Sequence, residues 1–289
     1  MNRKTRIFAA VLCGAALAGA ASWAGQGREQ TVPSAQQQDA AAHDGLMAAA
    51  RVDALMQIVA TEGARHGMGL EAALFPGEGG ESWARRVSAI QAPARLTHHL
   101  AEALRQELSA EDARAARRFL AGPIGARVVA REVEARRDML DSDTVAEAER
   151  VAAGQAESPR EALIAEMIAA LDLVTINVTG GMNANYAFYR GLGDGGGLRE
   201  GMTDADVLAI VRAQEEEIRA SVGAWLHNYL SLAYAPLTDA ELRGYLEFTR
   251  SAPGRRYMAA MFQGFGRVFE ATSYELGRAA AEFMTHEDV

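Results

Sequence analysis

Five groups of residues have types or spacings that chemistry uses. The chain holds six histidines, His43, His66, His98, His99, His227 and His286. Nothing matches the His-Glu-x-x-His pattern or another zinc spacing. His98 and Glu102 are four apart, and His227 follows His98 by 129 residues, so His98 and His227 are the pair from which a metal site could be built. The competing reading is a set of ordinary surface or hydrogen-bonded histidines, and the spacing favours it. Gly80-Glu81-Ser82-Trp83-Ala84 has the outline of a nucleophile elbow, which would make the chain a hydrolase. That elbow needs a buried strand before the serine and a base to activate it, so Ser82 reads better as a helix cap. Gly191, Gly193 and Gly196 satisfy Gly-x-Gly-x-x-Gly, yet a helical pattern precedes them where a phosphate cradle needs a strand. Glu215, Glu216 and Glu217 form a charge run, the usual mark of a solvated helix face.

The fifth group is apolar. Tyr257, Met258, Met261, Phe262, Phe265 and Phe269 recur at helical spacing near the C-terminus. Pliable methionines beside flat aromatic rings could line a groove for an apolar small molecule or a partner helix, which makes Met258, Met261, Phe262 and Phe265 the candidate binding residues. Their other reading is plain core. No catalytic residue, cofactor or established metal site is implied.

The elements that would position these groups are helices. Apolar residues make up 49 % of the 289-residue chain, charged residues 23 % and aromatic residues 7 %, a mixture that excludes disorder, collagen and a multi-span membrane protein. Four helix starts are legible as a hydroxyl three residues before an acid: Ser109 with Asp112, Ser158 with Glu161, Thr203 with Asp206, and Thr238 with Glu241. Behind two of them run apolar stripes, one through Leu163, Ile164, Met167, Ile168, Leu171, Val174 and Val178, the other through Ile218, Val222, Trp225, Leu226 and Tyr229. Leu173 to Val178 is the most strand-like stretch, and it lies inside the first stripe. The fold class is therefore all-α.

An internal repeat organises the helices. Leu108, Ser109, Arg114, Phe119, Gly125 and Arg127 match Leu237, Thr238, Arg243, Phe248, Gly254 and Arg256 at a constant offset of 129. Upstream the offset is 116, which carries Ala54 and Leu55 onto Ala170 and Leu171, so the second copy has 13 extra residues after its glycine loop. The expected organisation is a duplicated multi-helix, bundle-like unit, residues 43–155 and 156–289. The helix after the second corner has the aromatic cluster where the first has Val128, Val129 and Val133.

These paired segments resemble the bacterial family of secreted helical proteins known as domain-of-unknown-function family 2059. Its pattern is Leu, then Ser or Thr, two variable residues, Glu-Leu, and a Phe followed by a Ser-Pro-x-Gly corner. The second copy supplies Leu237, Thr238, Glu241, Leu242, Phe248, Ser251 and Gly254, with its proline one place late at Pro253. The first supplies Leu108, Ser109, Phe119, Pro123 and Gly125, with Asp112-Ala113 in place of Glu-Leu and Gly122 in place of Ser. The resemblance implies a compact, mainly helical exported domain with no assigned activity.

Export is also written at the N-terminus. Arg3, Lys4 and Arg6 precede an uncharged stretch from Ile7 to Ala24, and Ser22 and Ala24 stand where a signal peptidase would cut, so residues 1–24 read as a signal peptide. A retained membrane anchor is the alternative, although the segment is short and rich in small residues for a span. Cys13, the only cysteine, lies inside it and follows Leu12, where lipidation would want a small residue. Residues 25–42 read as a flexible leader. Cleavage leaves 26 basic against 38 acidic side chains, a formal charge of −12, which disfavours nucleic acid as a partner. The arginine and alanine bias points to a high-GC bacterium, and hence to the periplasm or the exterior. The expected function is a non-enzymatic module that binds another protein or assembles as a homo-oligomer, with no integral membrane span after cleavage. The alternative is an apolar-ligand carrier or holdase-like chaperone.

Overall fold

The computed structural model describes residues 34–154 and 158–284. The signal segment, most of the leader and His286 lie outside these residues. Thirteen α-helices and no strand occur among the described residues: α1 (Ala35–Ala49), α2 (Val52–Leu74), α3 (Gly80–Ile90), α4 (Pro93–Glu107), α5 (Ala110–Leu120), α6 (Pro123–Asp138), α7 (Ser142–Gly154), α8 (Pro159–Ala170), α9 (Leu173–Asp194), α10 (Asp204–Arg212), α11 (Glu215–Tyr234), α12 (Asp239–Arg250) and α13 (Ala252–Met284). All-α is the observed class.

All four expected starts are in place. Ser109, Ser158, Thr203 and Thr238 each accept the backbone N–H three residues on, which satisfies one of the amides a helix leaves open at its first turn. Two readings change. The expected leader is helical from Ala35, because Ser34 and Gln37 form a reciprocal capping box and Ala42 is already buried. Ser82 caps nothing: α3 begins at Gly80, whose N–H and that of Gly79 donate to Glu71 Oε1, and Ser82 faces solvent in the first turn. The strand-like Leu173–Val178 opens α9, since its apolar residues lie on a helical face that packs against α11 and α13.

Neither core stops at the boundary near residue 155. The larger runs from Leu46 and Leu55 through Val129 and Tyr229 to Phe265 and Val268. The smaller packs Phe75, Trp83 and Val87 against Leu192, Leu276 and Ala280, with Trp83 Nε1 donating to Gly67 O at 2.9 Å. A buried polar group interrupts the larger core. Arg136, 2 % exposed, donates from Nε and Nη2 to the Glu62 carboxylate at 3.2 and 2.6 Å and lies over the Trp225 ring. One turn earlier, Glu132 accepts the Tyr234 hydroxyl at 2.6 Å, and its carbonyl accepts that of Tyr229 at 2.9 Å.

The two segments that match at offset 129 meet each other. Phe119 and Phe248 stack with ring centroids 4.0 Å apart and planes 4° from parallel. Around them the ion pairs are exchanged: Arg127 reaches Glu241 at 3.0 Å, and Arg256 reaches Asp112 at 2.7 Å. At each corner a glycine lets the next helix approach, because a Cβ on Gly125 would stand 2.2 Å from Phe119 O and one on Gly254 1.8 Å from Phe248 O. The Arg256 hydrogen bond is the main cause holding Asp112 below the ordinary carboxyl range, and the Thr238 backbone N–H is the main cause doing so for Glu241. Such groups stabilise the fold above their unfolded-state values, 3.8 and 4.5, and that contribution is lost as pH falls through the lowered folded values. Arg256→Gln is therefore expected to lower stability at pH 7 and to converge with the parent protein under acid, read by urea unfolding at a series of pH values. An offset independent of pH would show that the Asp112 pair contributes nothing.

No single helix among the described residues is long and apolar enough to cross a membrane. Together α8 and α9 would have the length and composition, but they bend by 51° between Pro159–Ala170 and Leu173–Asp194.

Candidate functional site

A concave, mainly apolar region lies between α2, α9 and α13. Its floor is fixed by close backbone contact of α9 with α13: a Cβ on Gly191 would lie 2.0 Å from Tyr274 O, and one on Gly277 2.0 Å from Phe188 O. Small residues at these two positions let the helices touch. Against that ridge α2 leans its Val59, Gly63, His66 and Leu70 edge, leaving two adjoining hollows of about 50 and 140 Å³. His66, Asn185, Ser273 and Leu276 line both. The larger is comparable in volume to cavities that accept a benzene-sized ring.

The walls are mainly apolar, from Val59, Val268 and Phe269 at one end to Leu70, Phe188, Tyr189 and Leu192 at the other. A few polar groups converge. Asn185 Nδ2 donates to Gln214 Oε1 at 3.0 Å, and Thr272 Oγ1 donates to Val268 O at 2.9 Å. Burial pushes the His66 imidazole below its ordinary value, so it is neutral at neutral pH. No aspartate, glutamate or arginine is among the lining residues of either hollow. Apolar walls with a small number of hydrogen-bonding groups suit a small amphipathic molecule.

The residues singled out from sequence fall elsewhere or play other parts. Met258, Met261 and Phe265 are buried in the larger core, and Phe262 packs half-buried against it. The lining of the cleft begins one helical turn further along α13, at Val268 and Phe269. His98 is exposed on α4 with Glu102 at 3.4 Å, whereas His227 on α11 meets the buried Glu161 of α8 at 2.9 Å. Among the described residues, no group of three His, Cys, Asp or Glu side chains is placed to hold a metal. Gly191 is a helix-packing glycine, and Gly193 and Asp194 are exposed at the end of α9. Glu215 pairs with Arg219 at 2.8 Å, while Glu216 and Glu217 face solvent, as a charge run on a helix face does.

In the sequence His66 is only one of six histidines with the ordinary reading, and Asn185 and Ser273 are not singled out at all. A signal existed for the first two. His66 follows Val59 by seven residues and precedes Leu70 by four, which puts a titratable group on the buried stripe of its helix. Asn185 is an amide set in a long apolar helix. Nothing in the local pattern indicates that the two share a hollow. Comparison with protein-family models, with curated proteins and with solved structures gave no match.

Proposed function

We propose that this protein is a non-enzymatic binding protein whose site is the cleft between α2, α9 and α13, and whose ligand is a small, largely apolar molecule with one hydrogen-bonding group. The observation that carries the proposal is the cleft lining: apolar walls, neutral His66 and Asn185, and no carboxylate or guanidinium. Among the described residues, the large apolar side chains that stand clear in solvent are Met68 and Leu208, on different helices. A docking face for a partner protein or a second copy has less to rest on than the cleft. The proposal keeps the carrier reading of the sequence and moves it along α13. Export to the periplasm stays part of the proposal on the strength of residues 1–24 alone.

Native mass spectrometry of protein purified without detergent, followed by calorimetric titration with indole, tests the proposal. Indole supplies an apolar ring and one N–H. Saturable one-to-one binding is expected, together with its loss in Ser273→Phe, which fills the space shared by the two hollows. Protonation of His66 would put a charge against apolar walls, so affinity is expected to fall on acidification, and His66→Gln to flatten that dependence. A bare mass with no saturable indole binding would sink the proposal.

We also infer that the chain is built from two related halves that pack about a pseudo-two-fold axis through the Phe119–Phe248 stack. The exchanged pairs Arg127–Glu241 and Arg256–Asp112 support it, being the reciprocal contacts of an isologous interface. Helix order supports it too, since α5 and α6 correspond at offset 129 to α12 and the start of α13. The corners that carry the resemblance to family 2059 are then the interface-forming elements.

A further inference from the structure

Away from the residues that line the apolar cleft, the protein gathers arginines. Arg51 stands immediately before α2, and Arg127, Arg131, Glu134 and Arg137 come from α6; with Ala130 they line an open cleft of about 400 Å³. Arg127, Arg131 and Glu134 follow at four and three residues, so they share one helix face. Arg127 is committed to Glu241, and Arg131 to Glu134. Arg51 and Arg137 have no ion pair among the described residues, and Arg51 Nε is buried without a hydrogen-bond partner. Burial is the main cause, and the neighbouring Arg137 cation the next, that makes the charged form of Arg51 less favourable than usual. Glu134, itself paired with Arg131, offsets this only in part, so two guanidinium groups without an ion pair of their own face one cleft in a chain of net charge −9.

The backbone gives a second, independent indication. Arg51 sits at φ 46°, in the left-handed region, where a residue with a Cβ is disfavoured and only Gly, Asn and Asp are at home. The other left-handed residue that is not glycine, among the described residues, is Asp172 before α9, one of the tolerant types. At offset 129, moreover, Arg131, Glu134 and Arg137 fall on Ala260, Gln263 and Gly266 of α13, which is helical all the same. Neither the break nor the helix requires these arginines, so their gathering calls for another reason.

We propose that Arg51, Arg127, Arg131 and Arg137 form a binding site for a phosphoryl dianion. Guanidinium forks match phosphate oxygens in two-point hydrogen bonding, and the two unpaired charges match the dianion in number. Arg51 Nε gains the acceptor it lacks, and the Arg51–Arg137 repulsion is relieved. The site is separate from the α2–α9–α13 cleft and stands or falls without it.

Calorimetric titration of the purified protein with inorganic phosphate at low salt tests the site, beside pelleting with phosphatidylglycerol and with phosphatidylcholine vesicles. Saturable one-to-one phosphate binding is expected, weakened at least tenfold in Arg137→Gln and in Arg51→Gly but unchanged in Arg85→Gln, an exposed arginine of α3. Arg51→Gly is the decisive variant, since glycine holds a left-handed turn more readily than arginine and a loss of binding there is no folding defect. Pelleting with the anionic vesicles alone, dependent on the same arginines, assigns the phosphoryl group to a lipid headgroup; heat with phosphate and no pelleting assigns it to a soluble ligand. Absence of both, or equal loss in Arg85→Gln, overturns the proposal.

Discussion

Replacing Arg136 by methionine is expected to cost about 3–5 kcal/mol of folding stability, as removal of one partner from a buried ion pair does. Glu62 would be left with its carboxylate 14 % exposed and without the cation it pairs with. The Trp225 ring would lose the guanidinium lying 5.5 Å from its centroid. Chemical denaturation followed by circular dichroism measures the loss, and two companions interpret it. Glu132→Gln should be milder, because the amide oxygen still accepts the Tyr234 hydroxyl. The double variant Glu62→Leu with Arg136→Met should recover much of the single variant's loss, since it removes the orphaned charge along with its partner. A neutral Arg136→Met would mean that water or a neighbour solvates Glu62, and that the pair does not anchor α2 to α6.

The second large effect is expected where α9 meets α13. Gly191→Ala and Gly277→Ala each introduce a methyl that would stand 2.0 Å from a carbonyl oxygen of the opposing helix. Backbone cannot step aside as a side chain tip can, so the helices must separate and each variant should lose about 3 kcal/mol. Gly180→Ala on the same helix meets nothing within 4 Å and should be neutral or stabilising by up to about 1 kcal/mol, because alanine is the better helix former. The walls of the cleft between α2, α9 and α13 stand on that contact, so under the proposed function indole affinity should change in the Gly277 variant and not in the Gly180 one. Equal stability of all three would show that the two helices are not held at this spacing.

Much of the helical plan is legible along the chain because its causes are local. A hydroxyl accepts an amide three residues on, a proline or glycine ends a run, and an apolar residue recurs every three or four positions; each operates within one turn. That is why Ser109, Ser158, Thr203 and Thr238 could be read as starts from the sequence alone. The leader was misread for a related reason. Gln36 to Gln38 look like linker composition, yet Gln37 serves as the third residue of a capping box and the apolar face begins at Ala42. The candidate site was poorly legible. Met258, Met261 and Phe265 have the chemistry of a groove, but whether a stripe faces a core or a cleft depends on what the other helices bring to it.

The sequence by itself determines that this chain is helical and where four of its helices begin. Only the tertiary structure decides that Phe119 stacks on Phe248, that Arg127 and Arg256 exchange their acids, that His66 and Asn185 share a hollow, and that Arg51 joins the arginines of α6. The physical reason is distance along the chain. Capping and periodicity act between neighbours and leave a pattern that can be read in order, whereas stacking, ion pairing and cavity formation join residues roughly a hundred positions apart through packing that no local pattern encodes.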